Sequence, residues 1–110
     1  MKHSSFTGML GLARADITPP AGIYCRNWGA ARHDTAQGVH RPLTLTALTL
    51  QQSTDELPLV LLDADLGWWA DVSLSQQFLD RLRQALGLPS ERLIFAMTHT
   101  HSAQIGRAHV

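Results

Sequence analysis

The feature that most constrains this chain is a helical stretch with a clear stop, flanked on each side by a short apolar run. Leu74, Phe78, Leu82 and Ala85 recur at helical spacing, and Leu79 and Leu86 widen the stripe. Ser73 and Gln76 stand at capping-box spacing and predict the start. Gly87-Leu88-Pro89 predicts the end. Glycine accepts left-handed backbone, leucine supplies the apolar contact of a helix stop, and proline cannot continue the helix. Pro58-Leu59-Val60-Leu61-Leu62 precedes the helix, and Leu93-Ile94-Phe95-Ala96-Met97 follows it. The first run suits a central strand covered on both faces. Strand, helix and strand from Leu59 to Met97 therefore make a βαβ unit with a right-handed crossover between parallel strands.

Upstream, Met9 to Ile17 reads as a first strand, stopped by Thr18-Pro19-Pro20-Ala21-Gly22, where two prolines remove ladder donors. Leu43 to Leu50 alternates apolar residues with threonine and changes phase at Ala47-Leu48, which predicts a strand with a bulge or a change of burial. Gln51 to Leu57 reads as a polar hairpin loop. Between Ile23 and Pro42 no period is sustained, so a long structured loop is expected there, carrying Tyr24, Trp28, His33 and His40. The fold class that follows is α/β: a mixed sheet with a βαβ unit, forming a truncated portion of a larger α/β domain.

At 110 residues the chain suffices for one domain that buries roughly two-thirds of its unfolded surface. Nine basic residues balance nine acidic ones, so no net field draws it to nucleic acid or an anionic membrane. A single cysteine, Cys25, excludes an internal disulfide. Residues 1–8 lack the apolar region of a secretion signal, and no later run reaches membrane-spanning length; a cytoplasmic location is the expectation.

Chemistry concentrates in Thr98-His99-Thr100-His101-Ser102, directly after the last apolar run. If the strand continues, its period of two projects both imidazoles from one side at the carboxyl end, where open α/β sheets bind ligands. Imidazole is the commonest zinc ligand, and a catalytic zinc needs protein ligands plus an open position for water. The pair supplies at most two ligands, and a hydrogen-bonded loop pair is the alternative reading. Asp63 and Asp65 repeat the same strand-end spacing and suit either metal binding, orientation of a ligand histidine, or turn formation. Trp68 and Trp69 either wall a pocket or cap the core.

These segments together resemble the amino-terminal part of the neutral/alkaline non-lysosomal ceramidase family. The matching pieces are Gly11-Leu12-Ala13-Arg14-Ala15-Asp16-Ile17-Thr18-Pro19-Pro20, Gly38-Val39-His40-Arg41-Pro42-Leu43 leading to Ala47-Leu48-Thr49-Leu50, Asp65-Leu66-Gly67, and Thr98-His99-Thr100-His101-Ser102. The resemblance implies a zinc-dependent amidase that cleaves N-acylsphingosine to a fatty acid and a sphingoid base. It implies that His99 is a zinc ligand and that His101 is catalytic, sitting near the scissile amide. It also implies further ligands, a histidine, a glutamate and a tyrosine, downstream of this chain. The partner expected is thus a small-molecule or lipid amide.

Two departures bear on that reading. The family usually continues Ser-Gly-Pro where this chain has Ser102-Ala103-Gln104, and residues Ile105 to Val110 match one frame of a sequencing adapter. Residues 1–104 are therefore expected to form the amino-terminal part of a ceramidase-like zinc hydrolase domain, and residues 105–110 a non-native tail whose His109 is not counted as a ligand. The loop from Gly22 to Gly29 also differs from the family's glycine-tyrosine loop, which leaves open a metal-dependent hydrolase of a different amide or ester. A barrel amidohydrolase with its His-x-His on the first strand fits less well, because several strands precede the motif here. A non-catalytic α/β binding module with structural histidines is the contrasting class.

Overall fold

A computed structural model describes residues 3–26, 29 and 31–102. The strands are β1 (Met9–Asp16), β2 (Thr44–Gln51), β3 (Leu59–Ala64) and β4 (Leu93–Met97), with helix α1 (Val72–Leu86) and a short 3₁₀ turn (Ser90–Arg92) between β3 and β4. They form one mixed sheet in the order β1-β2-β3-β4. Connection length explains the directions. The polar link after β2 folds back through Gln51 Nε2 donating to the Glu56 carbonyl (2.6 Å) and Glu56 N–H to the Ser53 carbonyl (3.2 Å), so β2 and β3 pair antiparallel. Helix α1 carries the chain back along the sheet, and β3 and β4 pair parallel. The expected α/β class with its βαβ unit is thus observed. Among the described residues no helix is long and apolar enough to cross a membrane.

Register assigns each side chain to a face, because opposed residues share a side and neighbours alternate. Val60, Leu62 and Ala64 are buried on the helical side. Leu45, Ala47, Leu93 and Phe95 join them from the neighbouring strands, with Leu82 of α1 and buried Leu88 above. Trp69, Phe78 and Phe95 complete this layer as a ring triangle with centroids 5.1 to 6.1 Å apart, so Trp69 caps the core. The opposite side presents Leu10 and Leu12 of β1, Leu48 and Leu50 of β2, Leu59 and Leu61 of β3, and Ile94 of β4. Leu10 is 67% exposed, Leu12 74% and Ile94 52%, so no described element covers this face. The apolar run at 58–62 had suggested cover on both sides, and the described residues cover one. Its apolar character matches burial potential, while a single helix can pack on only one surface.

One local expectation is narrowed and another is corrected. β2 pairs without interruption from Leu45 opposite Ala64 to Leu50 opposite Leu59, and likewise against all of β1, so the phase change at Ala47-Leu48 makes no bulge. It reflects an interior strand whose residues are half-buried on both sides. The helix begins earlier than the Ser73/Gln76 box predicted. Asp71 is its N-cap, extended in backbone, with a carboxylate oxygen accepting from Ser73 N–H at 2.7 Å. A carboxylate satisfies an orphan amide and meets the positive end of the helix dipole, which outcompetes a serine hydroxyl two residues later. The stop behaves as expected. Gly87 takes φ 66°, its N–H reaches the Gln84 carbonyl (3.3 Å), and Leu88 N–H reaches the Arg83 carbonyl (3.0 Å).

The long segment between β1 and β2 is ordered by its own pairing. Gly22 N–H donates to the Ala36 carbonyl (2.7 Å), Ala36 N–H to the Ile23 carbonyl (2.9 Å), and Cys25 N–H to the Asp34 carbonyl (2.8 Å). Arg26 joins the two arms, with Nε on the Asp34 carboxylate (2.5 Å) and Nη1 on the Ala31 carbonyl (2.8 Å). Trp28 and the tail at 103–110, including His109, lie outside the described residues.

Candidate metal and substrate site

The carboxyl ends of β3 and β4 are adjacent because the strands are parallel, and main-chain bonds extend the pairing past both. Thr98 N–H donates to the Ala64 carbonyl and His99 N–H to the Leu66 carbonyl, each at 3.0 Å. Asp65 ties a third segment to this edge. One carboxylate oxygen accepts from Thr44 N–H (2.9 Å) and Thr44 Oγ1 (3.1 Å), and the other from Thr98 Oγ1 (3.2 Å). Above all the Thr44 N–H, with the two hydroxyls, holds the Asp65 carboxyl below the usual carboxylate range, and partial burial opposes the shift. Asp65 is therefore a clamp between the start of β2 and the exit of β4. Asp63 sits inside β3 on the uncovered face and is exposed.

His99 lies beyond the strand, which ends at Met97, and takes φ 60°. It is the one non-glycine residue with positive φ among the described residues. Left-handed backbone costs an L-residue roughly 1–2 kcal/mol, so other contacts have to hold it. Two do: the N–H bond to Leu66 and a 2.8 Å bond from the ring Nδ1 to the Gly67 carbonyl. A carbonyl only accepts, so Nδ1 carries the hydrogen and the Nε2 lone pair is left as the donor atom. Trp68 flanks the ring at 5.8 Å between centroids. His101 stands edge-on to it at 5.2 Å and 79°.

The two histidines are thus brought together as expected, by a different cause. Strand alternation does not place them; a left-handed turn does, which re-aims the chain at position 99. The orienting group also differs from the sequence expectation. A main-chain carbonyl holds the imidazole, and Asp65 bonds threonines instead. Thr100 Oγ1 accepts from Ser102 N–H at 3.2 Å, which is turn chemistry. Of the two tryptophans, Trp69 belongs to the core and Trp68 to the site.

His101 lines a cavity of about 380 Å³ between this turn and the paired loop, together with Cys25, Arg32, His33, Gln37 and Ser102. A smaller cavity of about 70 Å³ adjoins it through Cys25 and Ser102 and has apolar walls from Pro19, Ile23, Val39 and Leu43. No group of three or more histidine, cysteine, aspartate or glutamate side chains suited to a metal occurs among the described residues. Gly67 stands in the Asp65-Leu66-Gly67 piece of the sequence resemblance, but its orienting role had no signal there, since its contribution is a carbonyl that every residue has. The cavity role of Arg32 had one signal, a cation inside a long loop.

Comparison with family models, curated proteins and solved structures yields no match.

Proposed function

We propose that this chain carries the first metal ligand and a catalytic histidine of a zinc-dependent amidase of the ceramidase type. The observation that carries the reading is His99: a residue in costly backbone whose Nδ1 is tied to the Gly67 carbonyl, leaving Nε2 as donor. Metal-binding histidines characteristically engage their second nitrogen in this way, which sets tautomer and ring direction. A histidine kept for packing alone has no need of either. The donor set here fits zinc in kind and is incomplete in number, so the other ligands would come from chain beyond residue 102.

Bound zinc would supply a water of lowered pKa and a polarised carbonyl. This chain's residues do the rest. His99 would hold the ion through Nε2, Trp68 would shield that ring from solvent on one side, and His101, facing the cavity, would hydrogen-bond the scissile amide. A donor placed at a developing oxyanion is worth about 3–4 kcal/mol of transition-state stabilisation. N-acylsphingosine is the substrate that the motif resemblance suggests. Another amide or ester is the runner-up, because the loop at 22–29 departs from the family pattern.

Zinc titration of ¹⁵N-labelled protein, read at the histidine ring nitrogens, tests this reading. The expected result is a shift of His99 Nε2 while Nδ1 stays protonated, abolished in His99→Ala and kept in His101→Ala. Because one chain supplies few ligands, binding is expected to be weak. An unperturbed Nε2 at saturating zinc would sink the proposal.

A further inference from the structure

We infer that the cavity beside His101 takes a carboxylate, and that the amide substrate therefore bears an anionic group, as an N-acyl amino acid does. The inference rests on the amidase reading for the word substrate, and on the cavity itself for the charge. Asp34 is the one acidic residue between positions 22 and 38, and Arg26 occupies it at 2.5 Å. Arg32 is left without an ion pair among the described residues, and it lines the cavity. No aspartate or glutamate lines the cavity among those residues.

His33 adds a second donor. Gln37 Nε2 lies 3.4 Å from His33 Nδ1, and an amide nitrogen only donates, so Nδ1 accepts and the ring hydrogen sits on Nε2. Arg32 and His33 thus line one half-open cavity with His101, and charge-assisted bonds from groups of this kind favour a carboxylate. The chamber of about 380 Å³ falls within the range of small-ligand pockets. N-acylsphingosine has no charge to offer Arg32, whereas an N-acyl amino acid does, so the cavity favours the runner-up substrate class, another amide, over the one the motif resemblance suggests. In the reaction, water adds across the amide: the C–N bond breaks, the acyl carbon gains the oxygen, and the amine nitrogen takes a proton. A free carboxylic acid and an amino acid result.

The test is binding to the metal-free protein, followed by amide chemical shifts, with N-butanoylglycine against N-butanoylglycinamide, in which a neutral carboxamide of nearly the same shape replaces the carboxylate. Saturable binding of the acid, with shifts at residues 31–38 and 101–102, is expected. Arg32→Gln should weaken it at least about tenfold, the equivalent of one charge-assisted contact. Arg32→Lys should restore part of that loss, which a merely structural role would not predict. Equal binding of the neutral amide, or no effect of Arg32→Gln, overturns the inference. So does inorganic phosphate binding as tightly as the acid, which would make the cavity a general anion site. Zinc shifts at His99 without carboxylate binding would sink this inference alone, whereas carboxylate binding without zinc shifts would leave the cavity standing and remove the amidase.

Discussion

The two faces of the sheet carry nearly the same kind of side chain and have opposite fates. On β3, Val60 and Leu62 are buried under α1, while Leu59 and Leu61, one residue away, belong to a surface on which Leu12 is 74% exposed. Hydrophobicity does not separate them, since all four are aliphatic. What separates them is the presence of a partner layer: α1 and the Trp69-Phe78-Phe95 triangle cover one side, and no described element covers the other. The lesson is that an apolar pattern states which surface can be buried and leaves open what buries it.

Mutation should expose that asymmetry most strongly at the centre of the covered face. Leu62→Ala removes packing from the buried cluster of Val60, Leu62 and Leu88, against which Leu82 and Phe95 pack, and should cost about 2–5 kcal/mol of unfolding free energy by denaturant titration. A cost no larger than that of a surface substitution would mean the helix-side layer is not the core. Asp65→Ala comes next, because it unties β2 from the exit of β4. It should lower the melting temperature by less than Leu62→Ala and weaken protection of the Thr44 amide from exchange. Unchanged exchange at Thr44 would remove Asp65 from its role as clamp.

Acid offers a reading of the same clamp without mutation. The folded carboxyls of Asp65, Asp71 and Asp16 lie below their ordinary value of 3.8, each held down by hydrogen bonds, from Thr44, Ser73 and Thr18 respectively. A depressed folded pKa contributes stability that is present above the unfolded pKa and lost as pH falls through the folded one. Melting temperature should therefore be flat above about pH 5 and fall as pH drops below 3.8, less steeply in Asp65→Asn. A melting temperature that rises on acidification would contradict the sign.

The smallest effect belongs to the open face. Leu12→Ser should change stability by no more than about 0.5 kcal/mol, while improving solubility, since it replaces an exposed leucine on an edge strand. A large loss would show that something covers this face in solution. His99→Gly probes the site in the same spirit. Glycine relieves the left-handed backbone, so the melting temperature should hold while zinc shifts disappear. A marked drop would favour a structural histidine.

Much of this architecture was legible because its causes are local. The stop at Gly87-Leu88-Pro89 needs only backbone chemistry, and the hairpin after β2 follows from a short polar link between apolar runs. Of the two alternatives for the phase change in β2, a bulge or a change of burial, the bulge did not form, since a half-buried interior strand relaxes the alternation rule. The capping error has a similar source: Asp71 and Ser73 both suit an N-cap, and choosing between them depends on where the chain leaves Trp69 and the core.

For the site, sequence alone determined which side chains could do chemistry: two imidazoles two residues apart after a strand, because residue identity and spacing are covalent facts. Tertiary structure decided how they are held. A carbonyl from residue 67, brought alongside by parallel strands, sets the hydrogen on Nδ1 of His99, and a loop paired on itself surrounds His101 with Arg32 and His33. Those contacts join residues far apart along the chain, through a carbonyl of the kind every residue carries in one case and through the folding of a loop in the other. No local pattern encodes them, so the fold alone could reveal them.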